Sequence, residues 1–330
     1  MVNASVNKPV LAIVVPCYNE EEVLPETSKQ LLDKIQSLIT NNLVSEKSKI
    51  VFIDDGSVDN TWSMIEKYQT EIPQYFNGIK LSRNCGHQNA LLCGLLSVRN
   101  YVDAVISIDA DLQDDLDVIE RMIKRYCSGS EIVYGVRSNR KSDGFFKRTT
   151  AQLFYRLMRF LGVNIVYNHA DFRLMGKNAL NALAEYNEVN LFLRGIVPLL
   201  GFKTSIEYYT RSERAAGTSK YPLRKMLQFA IQGITSFSVK PMRLITILGV
   251  LIFIVSILMI VYFIIRYLLG HTVSGWASIV CSLWGIGGLI LFSIGILGEY
   301  IGRIYLETKH RPRFHVERIL SLNGERQDCK

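Results

Sequence analysis

The first half of the chain alternates short, unbroken apolar runs with longer segments of helical spacing. "VLAIVVP" (Val10–Pro16) stops at a proline, and "EEEVLPETSKQLLDKIQSLI" after it repeats its apolar residues with a helical period. "KIVFIDDGS" is a second short buried strand, "GIKLSRN" a third, "GHQNALLCGLLSVR" a helix and "DAVISIDAD" a fourth strand. "DLDVIERMIKRYCSG" reads as an amphipathic helix and "EIVYGVR" as a fifth strand. Apolar strands that do not alternate in polarity, separated by helices, predict a parallel sheet covered on both faces. The expected class is α/β, with a nucleotide-binding domain.

The pattern changes after residue 240. "LITILGVLIFIVSILMIVYFII" and "WASIVCSLWGIGGLILFSIGILG" each reach the roughly 20 residues that cross a bilayer as a helix. Core helices seldom run uncharged on every face for that length. Between Arg243 and Glu299 the only formal charge is Arg266. The short join predicts a two-span hairpin with both flanks on one side. Arg224, Lys225, Lys240 and Arg243 precede it and Arg303, Lys309, Arg311 and Arg313 follow, so the positive-inside rule makes that side cytoplasmic.

The expected organisation is a cytoplasmic catalytic domain over 1–220, an interfacial helical linker over 221–243, a hairpin over 244–303 and a basic cytoplasmic tail over 304–330. "MVNASVNKPV" lacks a long apolar core, so no secretory signal is expected. Six scattered cysteines without CxxC spacing fit a reducing compartment. "KRTTAQLFYRLMRFLG" (Lys147–Gly162) and "YPLRKMLQFAIQGITSFSVKPMR" (Tyr221–Arg243) read as interfacial amphipathic helices; internal packing is the alternative for the first.

Each strand of the first half is followed by a polar cluster: "PCYNEEE", "DDGSVDNT", "SRNCGHQN" and "DADLQDD". In an open α/β sheet, ligands bind outside the carboxyl ends of the strands. The net charge is +8, yet five acids, Asp109, Asp111, Asp114, Asp115 and Asp117, crowd the fourth cluster. Asp109, Asp111 and Gln113 offer hard oxygen ligands for Mg²⁺ or Mn²⁺ shared with substrate phosphates. Asp114 and Asp117 read instead as caps of the following helix. Basic clusters holding Arg137 and Arg140, and Arg214 and Lys220, suggest phosphate ligands; attraction to anionic lipid is the alternative, favoured for Arg224 and Lys225. His87 and His169 read as loop residues that bond backbone.

"VVPCYNEEEVLPE", "IDDGSVDNT", "NCGHQNAL", "DADLQD", "GVRSNRKSDGFFKR", "DFRLM" and "ERAAGTSKY", in order over roughly residues 9 to 305, resemble the family 2 glycosyltransferases of GT-A fold that act on polyprenyl phosphates. Within that family the chain is similar to bactoprenol-phosphate glucosyltransferases and dolichol-phosphate mannosyltransferases. The resemblance implies a GT-A (Rossmann-like) nucleotide-sugar-binding domain and inverting transfer of one sugar from a nucleotide-sugar donor to undecaprenyl phosphate. It implies that Pro16, Tyr18 and Glu20 hold base and ribose, that Asp54 or Asp55 accepts from the base, and that Arg83, with Asn84, lines the nucleoside pocket beside Ala110. Asp109, Asp111 and Gln113 would hold the cation, with Asp111 counted as catalytic for that reason. Asp171 stands where relatives place a carboxylate proposed as base; orienting Arg173 is its other role. Arg137, Arg140, Arg173, Arg214 and Lys220 are the candidates for the two phosphate groups.

A lipid phosphate with a second pKa of about 6 is already mostly dianionic near neutral pH, so positioning can supply most of the rate. UDP-glucose is the favoured donor, with UDP-N-acetylglucosamine next and GDP-mannose as a further alternative. A processive synthase would show QxxRW and more spans, and neither is found; a non-enzymatic membrane protein would leave the polar pocket unexplained. Small residues in "GIGGLILFSIGILGEYIG" leave room for a homo-oligomer. Membrane lipid is an expected partner and nucleic acid is not.

Overall fold

The computed structural model describes residues 8–111, 113–137, 169–188, 193–210, 240–269 and 275–320. Arg140, Arg214, Lys220, the segment 147–162 and residues 221–239 of the expected linker lie outside the described residues.

The strands are β1 (Leu11–Cys17), β2 (Lys49–Asp54), β3 (Phe76–Leu81), β4 (Ala104–Ser107), β5 (Ile132–Arg137), β6 (His169–Gly176), β7 (Thr204–Tyr209) and β8 (Val316–Leu320). The helices are α1 (Leu24–Thr40), α2 (Thr61–Glu71), α3 (His87–Val98), α4 (Val118–Cys127), α5 (Lys177–Ala184), α6 (Leu193–Leu199), α7 (Lys240–Leu268) and α8 (Trp276–Thr308). Among the described residues the eight strands form one sheet in the order β7-β5-β6-β4-β1-β2-β3-β8. β1 pairs in parallel with β2 and β4, β2 with β3, and β5 with β7, while β6 and β8 run antiparallel to their neighbours.

The central strands read as apolar runs because both of their faces are buried: β1 is enclosed along its whole length. Leu24, Leu31, Ile35 and Leu38 of α1 pack into the same core, one helical face contributing all four. On α3, a Cβ at Gly94 would lie 2.4 Å from Val14 Cγ1, so glycine is what lets this helix close onto β1 and β2.

Two strands go beyond the sequence reading. His169, expected in a loop, opens strand β6, which is inserted antiparallel between β4 and β5. Within the segment expected to be a basic tail, residues 316–320 form β8, which pairs with β3 and buries Leu320.

In the second compact unit, α7 and α8 expose large apolar side chains, among them Ile247, Leu251, Leu258, Leu283, Leu291, Phe292 and Ile301. Among the described residues one helical stretch, Gly285–Thr308, is long and apolar enough to cross a membrane; the apolar part of α7, Ile245–Met259, is shorter.

Candidate active site

The loops at the carboxyl ends of β1, β2 and β3 are stitched to one another. Asn19, at a φ of 53°, donates its N–H to Ser57 Oγ at 3.0 Å and accepts from the Val58 N–H at 2.9 Å. The Glu20 N–H donates to Thr61 Oγ1 at 2.9 Å. Gly56 turns with a φ of 68° against the third loop, where a Cβ would come within 2.6 Å of the Arg83 carbonyl carbon and 2.7 Å of the Asn84 nitrogen. Only glycine fits there. Tyr18 is 44% exposed and Arg83 is exposed, both open to a ligand, whereas Pro16 lies inside β1 in register with Ile53.

Asp54 and Asp55 are both buried. Asp55 spends its carboxylate on the third loop, accepting from the Cys85 N–H at 2.7 Å and the Gly86 N–H at 2.9 Å. Asp54 accepts from the Ser57 N–H at 3.2 Å through Oδ1, and its Oδ2 is buried with no hydrogen-bond partner among the described residues. Of the two, Asp54 therefore has the unspent acceptor. Burial pushes both carboxyls above the ordinary range.

The acidic loop after β4 is tied down at both ends. The Ala110 carbonyl accepts from Thr27 Oγ1 of α1 at 2.6 Å, and the Gln113 N–H reaches Asp111 Oδ1 at 3.4 Å. Asp114 is not a helix cap. It is buried in a ring with the last residues of β5 and β7: Arg137 Nη2 donates to its Oδ1 at 3.2 Å, the Tyr209 hydroxyl donates to the same oxygen, and Arg137 Nε donates to Tyr209 at 3.1 Å. Arg137 is thus committed to a carboxylate rather than left open for a phosphate. Asp117 sits at the cap position of α4 without a side-chain capping bond and pairs with Lys34 at 2.6 Å.

Strand β6 brings the second half of the site. Its antiparallel register pairs Ser107 with Arg173, which brings Asp171 to the carboxyl end of β4. Ser107 Oγ donates to the Asp171 carbonyl and fixes this crossing. His87, first residue of α3, lies between the two carboxylates, its Nε2 3.5 Å from Asp109 Oδ1 and 3.6 Å from Asp171 Oδ2. The backbone-bonding role expected for His87 gives way to a bridge between acids. The His169 side chain lies outside the described residues.

Asp171 is gripped by guanidinium groups. Arg173 Nη2 donates to Oδ1 at 3.1 Å, Arg194 Nε to Oδ1 at 3.2 Å, and Arg194 Nη2 to Oδ2 at 3.0 Å. Arg173 is fully enclosed, so it reaches Asp171 and not an incoming phosphate. Arg194 was missed in the sequence. Its signal was a lone charge inside the apolar run "LFLRGIVPLL", which requires a partner or an opening to solvent. The amide oxygen of Gln88 on α3 accepts from the Leu193 N–H at 3.0 Å and fixes the turn that carries Arg194.

These contacts divide the electrostatics. Burial alone would raise the Asp171 carboxyl, but Arg194, His87 and Arg173 hold it well below the usual carboxylate range. Burial and the neighbouring acids Asp171, Asp114 and Asp111 push Asp109 up to about 6, against the pull of His87. Burial works against a charged imidazole at His87, and Asp171 and Asp109 outweigh it, so this histidine is protonated more readily than usual.

Residues 12–184 match the family model described as glycosyl transferase family 2, and residues 240–304 match one described as the GtrB C-terminal hairpin. The chain is 55% identical over 311 residues to the uncharacterized glycosyltransferase YkoT of Bacillus subtilis, covering 94% of this chain and 92% of that one. It is 40% identical to the bactoprenol glucosyl transferase of Shigella phage SfX, covering 93% of this chain and 98% of that one. A prophage bactoprenol glucosyl transferase homolog of Escherichia coli is 38% identical, over 94% of this chain and 99% of its own. With the site at the carboxyl edge of a GT-A-like, mainly parallel sheet, the chain is a glycosyltransferase and belongs to glycosyl transferase family 2.

Proposed function

We propose that this enzyme transfers a single glucose, with inversion, from UDP-glucose to undecaprenyl phosphate on the cytoplasmic face of the membrane. The observation that carries the reading is the extent of the likeness: relatives named bactoprenol glucosyl transferase align over catalytic domain and C-terminal helices alike. The product is a polyprenyl-monophosphate-linked sugar for cell-envelope glycan modification.

Tyr18, Glu20, Arg83 and Asp54 form the nucleoside end of the donor site, with Pro16, Asp55 and Ala110 shaping its floor. Asp109, Asp111 and Gln113 supply oxygen donors of the kind Mg²⁺ or Mn²⁺ takes. Among the described residues no three His, Cys, Asp or Glu side chains enclose an ion by themselves. That fits a cation held by one or two carboxylates together with substrate phosphates. When bound, the ion neutralises charge on the departing nucleoside diphosphate. Arg140, Arg214 and Lys220 remain the proposed phosphate ligands contributed from outside the described residues.

The topology supports a two-span hairpin. β7 precedes the two long helices and β8 follows them, yet both belong to one sheet. A segment that leaves and rejoins one folded domain crosses a bilayer an even number of times, so a span in α8 calls for another in α7. The basic residues on both flanks support a cytoplasmic position for the domain.

Transfer of radiolabelled sugar from a panel of UDP- and GDP-sugars to undecaprenyl phosphate in detergent tests the reading. Label from UDP-glucose should enter a lipid-extractable, acid-labile product with Mn²⁺ or Mg²⁺, and chelator or Asp111→Asn should abolish it. No lipid product from any donor contradicts the proposal.

A further inference from the structure

We propose that Arg194 contacts a substrate phosphate and that Asp171 serves as its anchor, holding the guanidinium in place instead of abstracting a proton. The inference rests on the transferase reading above and assigns work within that site.

The carboxylate of Asp171 has little left to offer as a base. Three guanidinium N–H bonds between 3.0 and 3.2 Å occupy its two oxygens, and His87 stands 3.6 Å from Oδ2. Its strongly lowered proton affinity agrees with that geometry. A phosphate nucleophile carries no proton that must be removed near neutral pH. A carboxylate with these neighbours is suited to fixing cations.

Charge and exposure separate the two arginines. Arg173, with 0% of its side chain exposed, already neutralises Asp171. Arg194 differs from Arg173 in keeping 38% of its side chain open. Its bidentate grip, through Nε and Nη2, sets the plane of the guanidinium. Gln88 fixes the backbone from which it projects. The result is a preorganised, partly open cation held on Asp171, the carboxylate that His87 links to Asp109 of the acidic loop. Planar, oriented guanidinium groups are the usual partners of phosphate oxygens. The phosphate belongs either to the donor diphosphate or to the acceptor monophosphate, and kinetics distinguish them.

The test compares full-length wild type with Arg194→Gln, Arg194→Lys, Asp171→Asn and the Arg194→Gln/Asp171→Asn pair in detergent. Initial rates are measured against each substrate in turn, and binding of UDP with Mn²⁺ by calorimetry. Loss of a charge-assisted contact should raise one KM at least about tenfold in Arg194→Gln, with Arg194→Lys intermediate. A rise confined to the nucleotide-sugar, with weaker UDP binding, assigns the donor diphosphate; a rise confined to the lipid assigns the acceptor. Asp171→Asn should raise the same KM, and the double variant should be little worse than either single one. Both KM values within about twofold of wild type would overturn the proposal. So would a collapse of kcat in Asp171→Asn alone, the signature of a lost base. Should Arg194→Gln fail to fold, Arg194→Lys carries the comparison. A wild type that transfers nothing contradicts the transferase reading, while UDP binding still reports on Arg194.

Discussion

Arg137→Gln should destabilise the protein and leave phosphate recognition nearly intact, because the structure gives Arg137 to Asp114 and Tyr209. The substitution removes two donors, Nη2 to Asp114 and Nε to Tyr209. Asp114 has 1% of its side chain exposed, so water cannot replace what it loses, whereas Arg137 is 27% exposed and its side of the pair is partly screened. Breaking a fully buried pair costs about 3–5 kcal/mol. The exposure of Arg137 brings the expectation down to roughly 2–3 kcal/mol. For a catalytic domain of this size that lowers Tm by about 5–10 °C, read by thermal unfolding of the full chain in detergent. Adding Asp114→Asn removes the stranded charge, so the double variant should recover about 1–2 kcal/mol relative to the sum of the single ones. An unchanged Tm together with a severalfold rise in KM for the donor would refute the assignment and restore Arg137 as a phosphate ligand.

Other outcomes follow from the same contacts. Gly56→Ala forces a Cβ against the Arg83–Asn84 backbone in a left-handed conformation; it should cost about 1–3 kcal/mol in denaturant unfolding and weaken UDP binding. Leu320→Ala should cost about 2 kcal/mol because β8 belongs to the sheet, and a neutral result would contradict that pairing. In chelator, Asp109 binds its proton more tightly folded than unfolded, so its contribution to stability is present below about pH 4 and is lost as pH rises toward about 6. Tm measured across that window should fall less steeply in Asp109→Asn than in wild type, and equal slopes would contradict the pKa assignment.

Much of this architecture was legible locally. Strands β1 to β5 could be read because each is a largely buried stretch followed by a polar cluster; helix α2 (Thr61–Glu71), with few buried residues, was not. What escaped the reading depends on distant partners. "HADFRLMG" carries Asp171 and Arg173 as a strand only because β4 and β5 flank it, and nothing within eight residues announces that insertion. Asp114 looked like a cap because caps are local; its buried partners come from residues 137 and 209. The strand within the basic tail was not legible because five residues of mixed polarity pair only when β3 offers an edge. Arg194 had a visible signal, an unpaired charge in an apolar run, but the identity of its partner required the fold.

The central claim is that one sugar is joined to one lipid phosphate. It is tested most directly by mass spectrometry of the lipid extracted after the full-length protein in detergent is incubated with UDP-glucose, Mn²⁺ and undecaprenyl phosphate. The account predicts a product heavier than the acceptor by a single hexose residue, with one phosphate and free UDP released. A lipid carrying two phosphates, a ladder of hexoses, or an unmodified acceptor would contradict it.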